Sequence, residues 1–254
     1  DSRRSYYINQ YASFKVLLDM PSALAYNYRS IFVPFPLNPS QMMGKVNSGI
    51  VTFSTFEVSQ ATRIQLPGSF PWPVRLANLK RALLITRHPI ADSQSELVVI
   101  NVHLSAYDDG SMRLEEMQAL KEIMLDEYQK GNYVIVGGDF NQTFPNALLT
   151  FEDNDHYTYK ETYQMIQNNL WEAFPLNPQW FIENNFLYKA DHTTPTCRLL
   201  HQPYDTVDSS NNQYYLIDGF IVSNNIQVDD LETLDENFLY SDHNPVKIVI
   251  QLLP

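Results

Sequence analysis

Residues 96–138 constrain the fold more than any other stretch of the chain. "ELVVINVHL" (96–104) and "YVIVGGDF" (133–140) are short apolar runs rich in Val and Ile, the composition of strands. Between them, from Ser111 to Lys130, Leu114, Met117, Leu120, Ile123 and Met124 recur at helical spacing. Asp109 or Ser111 can cap that helix, Glu115 and Glu116 suit its first turn, and Gly131 ends it. The result is a β-loop-α-β unit. Both strands are apolar on both faces at their centres, as strands covered on either side are. That places the chain in the α/β class.

Further β-type runs are "GIVTFST" (49–55), "ALLITR" (82–87), "YYLIDGFIVS" (214–223) and "PVKIVIQLL" (245–253), several of them bounded by Gly, Asn or Pro. A second helix is expected near 159–170. Connections rich in Pro, Asn and aromatics are expected over 30–48, 64–80 and 174–213. A chain of 254 residues, 44% hydrophobic, can bury a large core, and no repeat or linker-like composition divides it. One domain, 1–254, is the expectation. No apolar run approaches the ~20 residues that span a bilayer. Cys197 is the only cysteine, which excludes an intrachain disulfide and a cysteine-built zinc site.

The apolar runs end in polar residues that core strands have no reason to carry. "VVINVHL" delivers His103, "VIVGGDFNQ" delivers Asp139 and Asn141, and "YSDHNPV" delivers Asp242 and His243 at the start of the last strand. "YLIDGF" sets Asp218 between Ile217 and Gly219. A carboxylate inside an apolar strand is expensive unless paired or metal-bound, so Asp218 needs a partner, and a histidine from a neighbouring strand is the natural one. Taken singly, each residue has an ordinary explanation: a satisfied histidine, an Asx turn, a turn before an edge strand. Their joint occurrence in this order does not.

"NVHL", "GGDFNQ", "IDGFIVS" and "SDHNPV" resemble the ordered motifs of the endonuclease/exonuclease/phosphatase superfamily, from about residue 49 to the C-terminus. The resemblance implies a four-layer sandwich, two mixed β-sheets packed face to face and flanked by helices, with the site at one edge between the sheets. It implies a metal-dependent phosphoester hydrolase. Asp139 would orient or deprotonate the attacking water, and Asn141 would hold that water and a phosphoryl oxygen. His243, oriented by Asp218, would stabilise the charge growing on the phosphoryl group. His103 would contact the phosphate and assist the leaving oxygen, and Asp242 would join the metal and water network. Magnesium, with manganese or calcium as alternatives, is the implied cofactor, and it suits carboxylate and amide oxygens.

One feature departs from the family pattern. The early strand with an Asn, and the Gln-Glu whose Glu is the principal metal ligand, are not in the sequence. "DSRRSYYINQY" resembles the segment just after that Glu in some bacterial members. The natural protein is therefore expected to be longer by roughly 30 residues or more, enough for two interior strands and their connections. A membrane anchor or export signal would belong to that upstream part.

Net charge is −12, which disfavours non-specific grip on nucleic acid. Residues 1–90 hold ten Lys/Arg against three Asp/Glu, and residues 91–254 seven against twenty-six, giving +7 and −19. The plain reading is an imbalance of solvated faces; the sharper one is a cationic third that meets an anionic substrate. A small-molecule or lipid-linked phosphoester leads. A nuclease of the same fold and a catalytically silent binding module are the alternatives. In "LPGSFPWPVRLANLKRALL" (66–84), Phe70 and Trp72 stand close to Arg75, Lys80 and Arg81, a pattern suited to a membrane surface or lipid headgroup, or to a loop packed on its own domain. In "TTPTCRLLHQPYD" (193–205), Arg198 would clamp a phosphate or pair with a surface acid. Arg198 and Arg81 are the candidate substrate-binding cations, and the chain is read as a monomer.

Overall fold

The computed structural model describes residues 2–34, 37–68, 72, 80–106, 110–145, 174–200, 203–207 and 212–254. They fall into two compact units, Asp1–Leu104 with Ser111–Asn132, and Ser105–Gly110 with Tyr133–Pro254.

The first unit begins with a short 3-10 turn, Arg3–Ser5, and α1 (Gln10–Leu18), whose first turn is capped by Asn9 accepting from Ala12 N at 3.1 Å. β1 (Ser22–Val33) and β2 (Gly44–Phe53) form an antiparallel hairpin, with a register shift between Ser30 and Val33. β3 (Gln60–Gln65), β4 (Ala82–Pro89) and β5 (Glu96–His103) pair antiparallel in that order. Ala82 to Ile85 and Val98, Ile100 and Val102 are buried, so β4 is covered on both faces. The hairpin adds Ala25 and Ile50, which pack on Leu84.

α2 (Ser111–Gln129) buries Met117, Leu120 and Met124 from the expected stripe, while Leu114 faces solvent. Gly131, at φ +84, turns the chain out of it as anticipated. Its end is tied down by Glu127, which accepts from Arg87, from Lys130 at 3.0 Å and from Asn132 Nδ2 at 2.8 Å. Asn132 Oδ1 in turn accepts from Glu96 N at 2.9 Å, so one buried carboxylate ties the helix to two strands.

The second unit contains β6 (Tyr133–Asp139), β7 (Gln142–Thr143), β8 (Phe174–Pro175), α3 (Gln179–Glu183), β9 (Phe186–Lys189) and β10 (Cys197–Arg198). β11 (Tyr214–Tyr215), β12 (Asp218–Ser223), β13 (Ile226–Thr233) and β14 (Val246–Leu252) complete it. β12 lies between β6 and β9, antiparallel to both. β10 with β11 and β13 with β14 form antiparallel pairs, and β7 with β8 a parallel one. Val134, Val136, Phe140, Phe144, Phe186, Ile221 and Val222 supply the core.

The class is α/β, mainly strands with few helices. Each expected strand is present; 214–223 is divided into β11 and β12 by Leu216 and Ile217. The expected connections 30–48 and 174–213 instead contain the end of β1, the start of β2, and β8 to β10 with α3. β3 and β13 escape a pattern reading because their apolar positions are few, and β1 because its many apolar residues do not alternate regularly with polar ones. The helix expected at 159–170 and the Asp109 cap lie outside the described residues. Among the described residues no helix is long and apolar enough to cross a membrane.

Candidate active site

β6 ends in Asp139 and β12 begins with Asp218, and their register sets the two directly opposite each other. Opposed residues of an antiparallel pair point to the same face with Cβ atoms ~5 Å apart, so the two carboxylates are neighbours. The glycines around them allow this. Gly138, at φ +138, pairs with Gly219, and a Cβ on Gly219 would lie 2.7 Å from both Lys189 O and the Phe144 ring. Only glycine lets β9 and the aromatic core approach so closely.

Asn141 turns the chain out of β6 at φ +50, a conformation Asn tolerates. Its backbone N–H donates to Asp139 Oδ1 at 2.8 Å and its Nδ2 to Oδ2 at 3.1 Å. The carboxylate is thereby held in one orientation. Asn141 is buried.

His243 comes from the loop before β14. That loop is laced to the β10 region: Cys197 forms a bridge with His243, Arg198 N donates to Asp242 O at 2.9 Å, and Asn244 N donates to Thr196 O at 2.8 Å. Asn244 is itself buried, donating from Nδ2 to Pro195 O at 3.1 Å and accepting from Glu236 N at 3.2 Å. His243 Nδ1 lies 2.8 Å from Asp218 Oδ2, and its Nε2 lies 4.0 Å from Asp139 Oδ2. With a carboxylate as acceptor, Nδ1 carries the proton.

Thr196 supports the other side of this pair. Fully buried, its Oγ1 accepts from the N–H groups of Ile217 at 3.1 Å and Asp218 at 3.0 Å. Two lone pairs on one hydroxyl thus fix the backbone at the point where Asp218 starts its strand.

Two facing carboxylates repel, and a cation between them relieves the repulsion. Burial opposes a charge on His243, but the hydrogen bond to Asp218 outweighs it and raises the pKa well above the ordinary imidazole value. The neighbouring Cys197 thiol is pushed up to about 12 by burial, so it is a neutral contact rather than a nucleophile. The side chains of His243, Asp139 and Asp218 keep 30%, 14% and 15% of their surface exposed, enough for a ligand to reach them.

Of the expected site residues, Asp139, Asn141, Asp218 and His243 come together. Asp242 is on the same loop as His243, with Oδ1 3.4 Å from Ser241 Oγ. Arg198 lies in the neighbouring strand β10, its guanidinium over the Tyr204 ring at 5.0 Å and its Nε buried without a partner among the described residues. His103 ends β5 and Arg81 is buried just before β4, both in the first unit. Phe70 and Arg75 lie outside the described residues; Trp72 is 70% exposed. Thr196 and Asn244 escape a sequence reading because their work is done by hydrogen bonds to distant backbone, which leave no pattern. An open groove of about 490 Å³ beside α2, lined by Pro67, Leu114, Glu115, Gln118, Ala119 and Glu122, carries no cation or nucleophile and is not the candidate site.

Magnesium demands several oxygen ligands in near-octahedral array. Among the described residues no group of three His, Cys, Asp or Glu side chains is arranged to hold a metal ion. Both oxygens of Asp139 accept from Asn141, and Asp218 Oδ2 is held by His243. The described donors therefore do not enclose a metal ion.

No family model matches the chain, and no curated protein does. Solved structures do. An endonuclease/exonuclease/phosphatase from Beutenbergia cavernae superposes over 96% of this chain with a TM-score of 0.59 and 16% identity. The chain has the endonuclease/exonuclease/phosphatase fold. It spans 57% of the length of the Beutenbergia structure. The endonuclease/exonuclease/phosphatase from Bacteroides vulgatus gives a TM-score of 0.55 at 14% identity, over 96% of this chain and 81% of that one. The mannosyl-6-phosphatase of Bacteroides thetaiotaomicron gives 0.50 at 17% identity, over 90% and 77%.

Proposed function

We propose that this protein hydrolyses phosphoesters, on a small-molecule or lipid-linked substrate. The observation that carries the reading is the 2.8 Å Asp218–His243 contact set against Asp139. Asp139, aimed by Asn141, is the group that orients or deprotonates the attacking water. His243, kept protonated by Asp218, offers its Nε2 side to charge growing on the phosphoryl oxygens. Arg198, steadied on Tyr204, is the cation of the same unit suited to a further anionic group of the substrate. His103 and Arg81 are proposed as phosphate contacts on the strength of the resemblance alone, and Asp242 as a contributor to a metal and water network.

Magnesium dependence, with manganese and calcium as alternatives, belongs to the proposal, but no step is assigned to the ion because the described donors do not enclose one. A catalytically silent binding module with the same fold is the second reading. Support for a phosphoesterase also comes from neighbours described as phosphatases, including the mannosyl-6-phosphatase and ANGEL2, a 2',3'-cyclic phosphatase.

The test is a panel on the whole protein, with and without magnesium: bis-nitrophenyl phosphate, plasmid DNA, sphingomyelin and inositol phosphates. Asp139→Ala and His243→Ala should each lower turnover by about 10²–10⁴-fold while the circular dichroism spectrum is retained. Unchanged turnover in either variant rejects the site, and no turnover of any phosphoester supports the silent module.

A further inference from the structure

Half of the large apolar side chains exposed among the described residues fall between Tyr6 and Leu37, in the first unit. The β1–β2 hairpin gathers several of them. Apart from a bridge between Ser2 and Val46, its two strands pair only with each other among the described residues, and its base is anchored by Ala25 and Ile50 on Leu84. Towards the tip the register shifts between Ser30 and Val33, where Ile31 and Phe32 stand against the single residue Lys45. This bulge turns both outward, at 93% and 59% exposure. Leu37, in the loop beyond β1, is 82% exposed.

The N-terminal turn lies along the same end. Ser2 bridges Val46, Arg3 donates to Met42 O at 3.2 Å, and the Tyr7 hydroxyl closes on Gly44. Tyr6 and Ile8 emerge from it at 87% and 56% exposure. Cations outnumber acids along this stretch: residues 1–53 hold five Lys/Arg against Asp1 and Asp19. Arg3, Arg29 and Lys45 are exposed, and Asp19, beyond α1, is the one acid among residues 2–53.

We infer that the hairpin tip and the N-terminal turn form a docking surface for an anionic lipid bilayer. Ile31, Tyr6 and Leu37 keep most of their surface open, as suits insertion among headgroups. Aromatic rings and long cationic side chains both suit the boundary between headgroup and acyl chain. The excess of positive charge, with Arg3, Arg29 and Lys45 exposed, complements anionic headgroups and would oppose a basic partner.

The test is co-sedimentation of the whole chain with phosphatidylcholine vesicles, with and without phosphatidylserine. It needs no turnover, so its result is independent of the hydrolase reading. The protein should partition onto the phosphatidylserine vesicles, less so as salt is raised. Ile31→Ser with Phe32→Ser should lower the partition coefficient by about tenfold or more, and Arg3→Glu with Lys45→Glu should erase the preference for phosphatidylserine. Circular dichroism checks that each variant folds; Ile31→Ser alone, at the more exposed position, is the fallback. Absence of binding to phosphatidylserine vesicles, or equal binding by wild type and both variants, overturns the inference. So does self-association that Ile31→Ser with Phe32→Ser removes while vesicles stay unbound, for the surface would then belong to a second copy.

Discussion

At Asp139 and Asp218 the chain sets like charges face to face, a pairing that destabilises a sheet unless something cationic stands beside it. His243 does so, and the pair it makes with Asp218 is held in place by side chains that bond to backbone. Thr196 is the clearest of these. Thr196→Val keeps the shape but strands two buried N–H donors, so it should destabilise the protein by about 1–3 kcal/mol. Turnover should fall about tenfold or more, because Asp218 loses its fixed start. Thr196→Ser, which restores the acceptor, should recover most of both; urea melts and hydrolysis rates on the three proteins check it. Asp139, Asn141, Asp218 and His243, which meet here, were readable in the sequence because a polar residue at the end of an apolar run is conspicuous. Thr196 and Asn244 were not, since an ordinary threonine or asparagine becomes structural only through a partner far along the chain.

Among the elements, β6 and β12 depend on glycine. Gly219→Ala puts a methyl group against Lys189 O and the Phe144 ring at 2.7 Å, so it should destabilise by about 1–3 kcal/mol. A lower urea midpoint at unchanged slope is the expected result. The end of α2 carries a pH-dependent element. Burial raises the pKa of Glu127, but hydrogen bonds from Arg87, Lys130 and Asn132 outweigh it, so the value lies below the ordinary 4.5. Its stabilising contribution is therefore present above the unfolded-state pKa and is lost as pH falls through the folded-state one. Glu127→Gln should flatten the acid side of the stability curve, measured as urea midpoint against pH. The helix and the central strands were legible because their periodicity is strong and their glycine punctuation clear. β13 was not, because it keeps too few apolar positions to alternate visibly, nor was β1, whose apolar residues run together without a period of two.

Over the whole molecule, the net charge of −12 predicts weak, non-specific DNA binding at most. A gel-shift titration at physiological salt should show no retention of plasmid DNA; strong retention that collapses with added salt would favour a nuclease. The class and the fold were accessible from one β-loop-α-β unit and four motifs. The hairpin tip was not, since exposure is a property of what surrounds a side chain rather than of its neighbours in sequence. The facing of Asp139 and Asp218 has one more consequence. Side chains alternate strictly along a strand, so sliding β12 past β6 by a single residue would turn one acid to the far side while leaving the other where it was. Intermediate geometries do not exist: the centre is either assembled or dismantled, and any variant that loosens this strand pair should show a shrinking fraction of fully active molecules rather than a uniformly slower population.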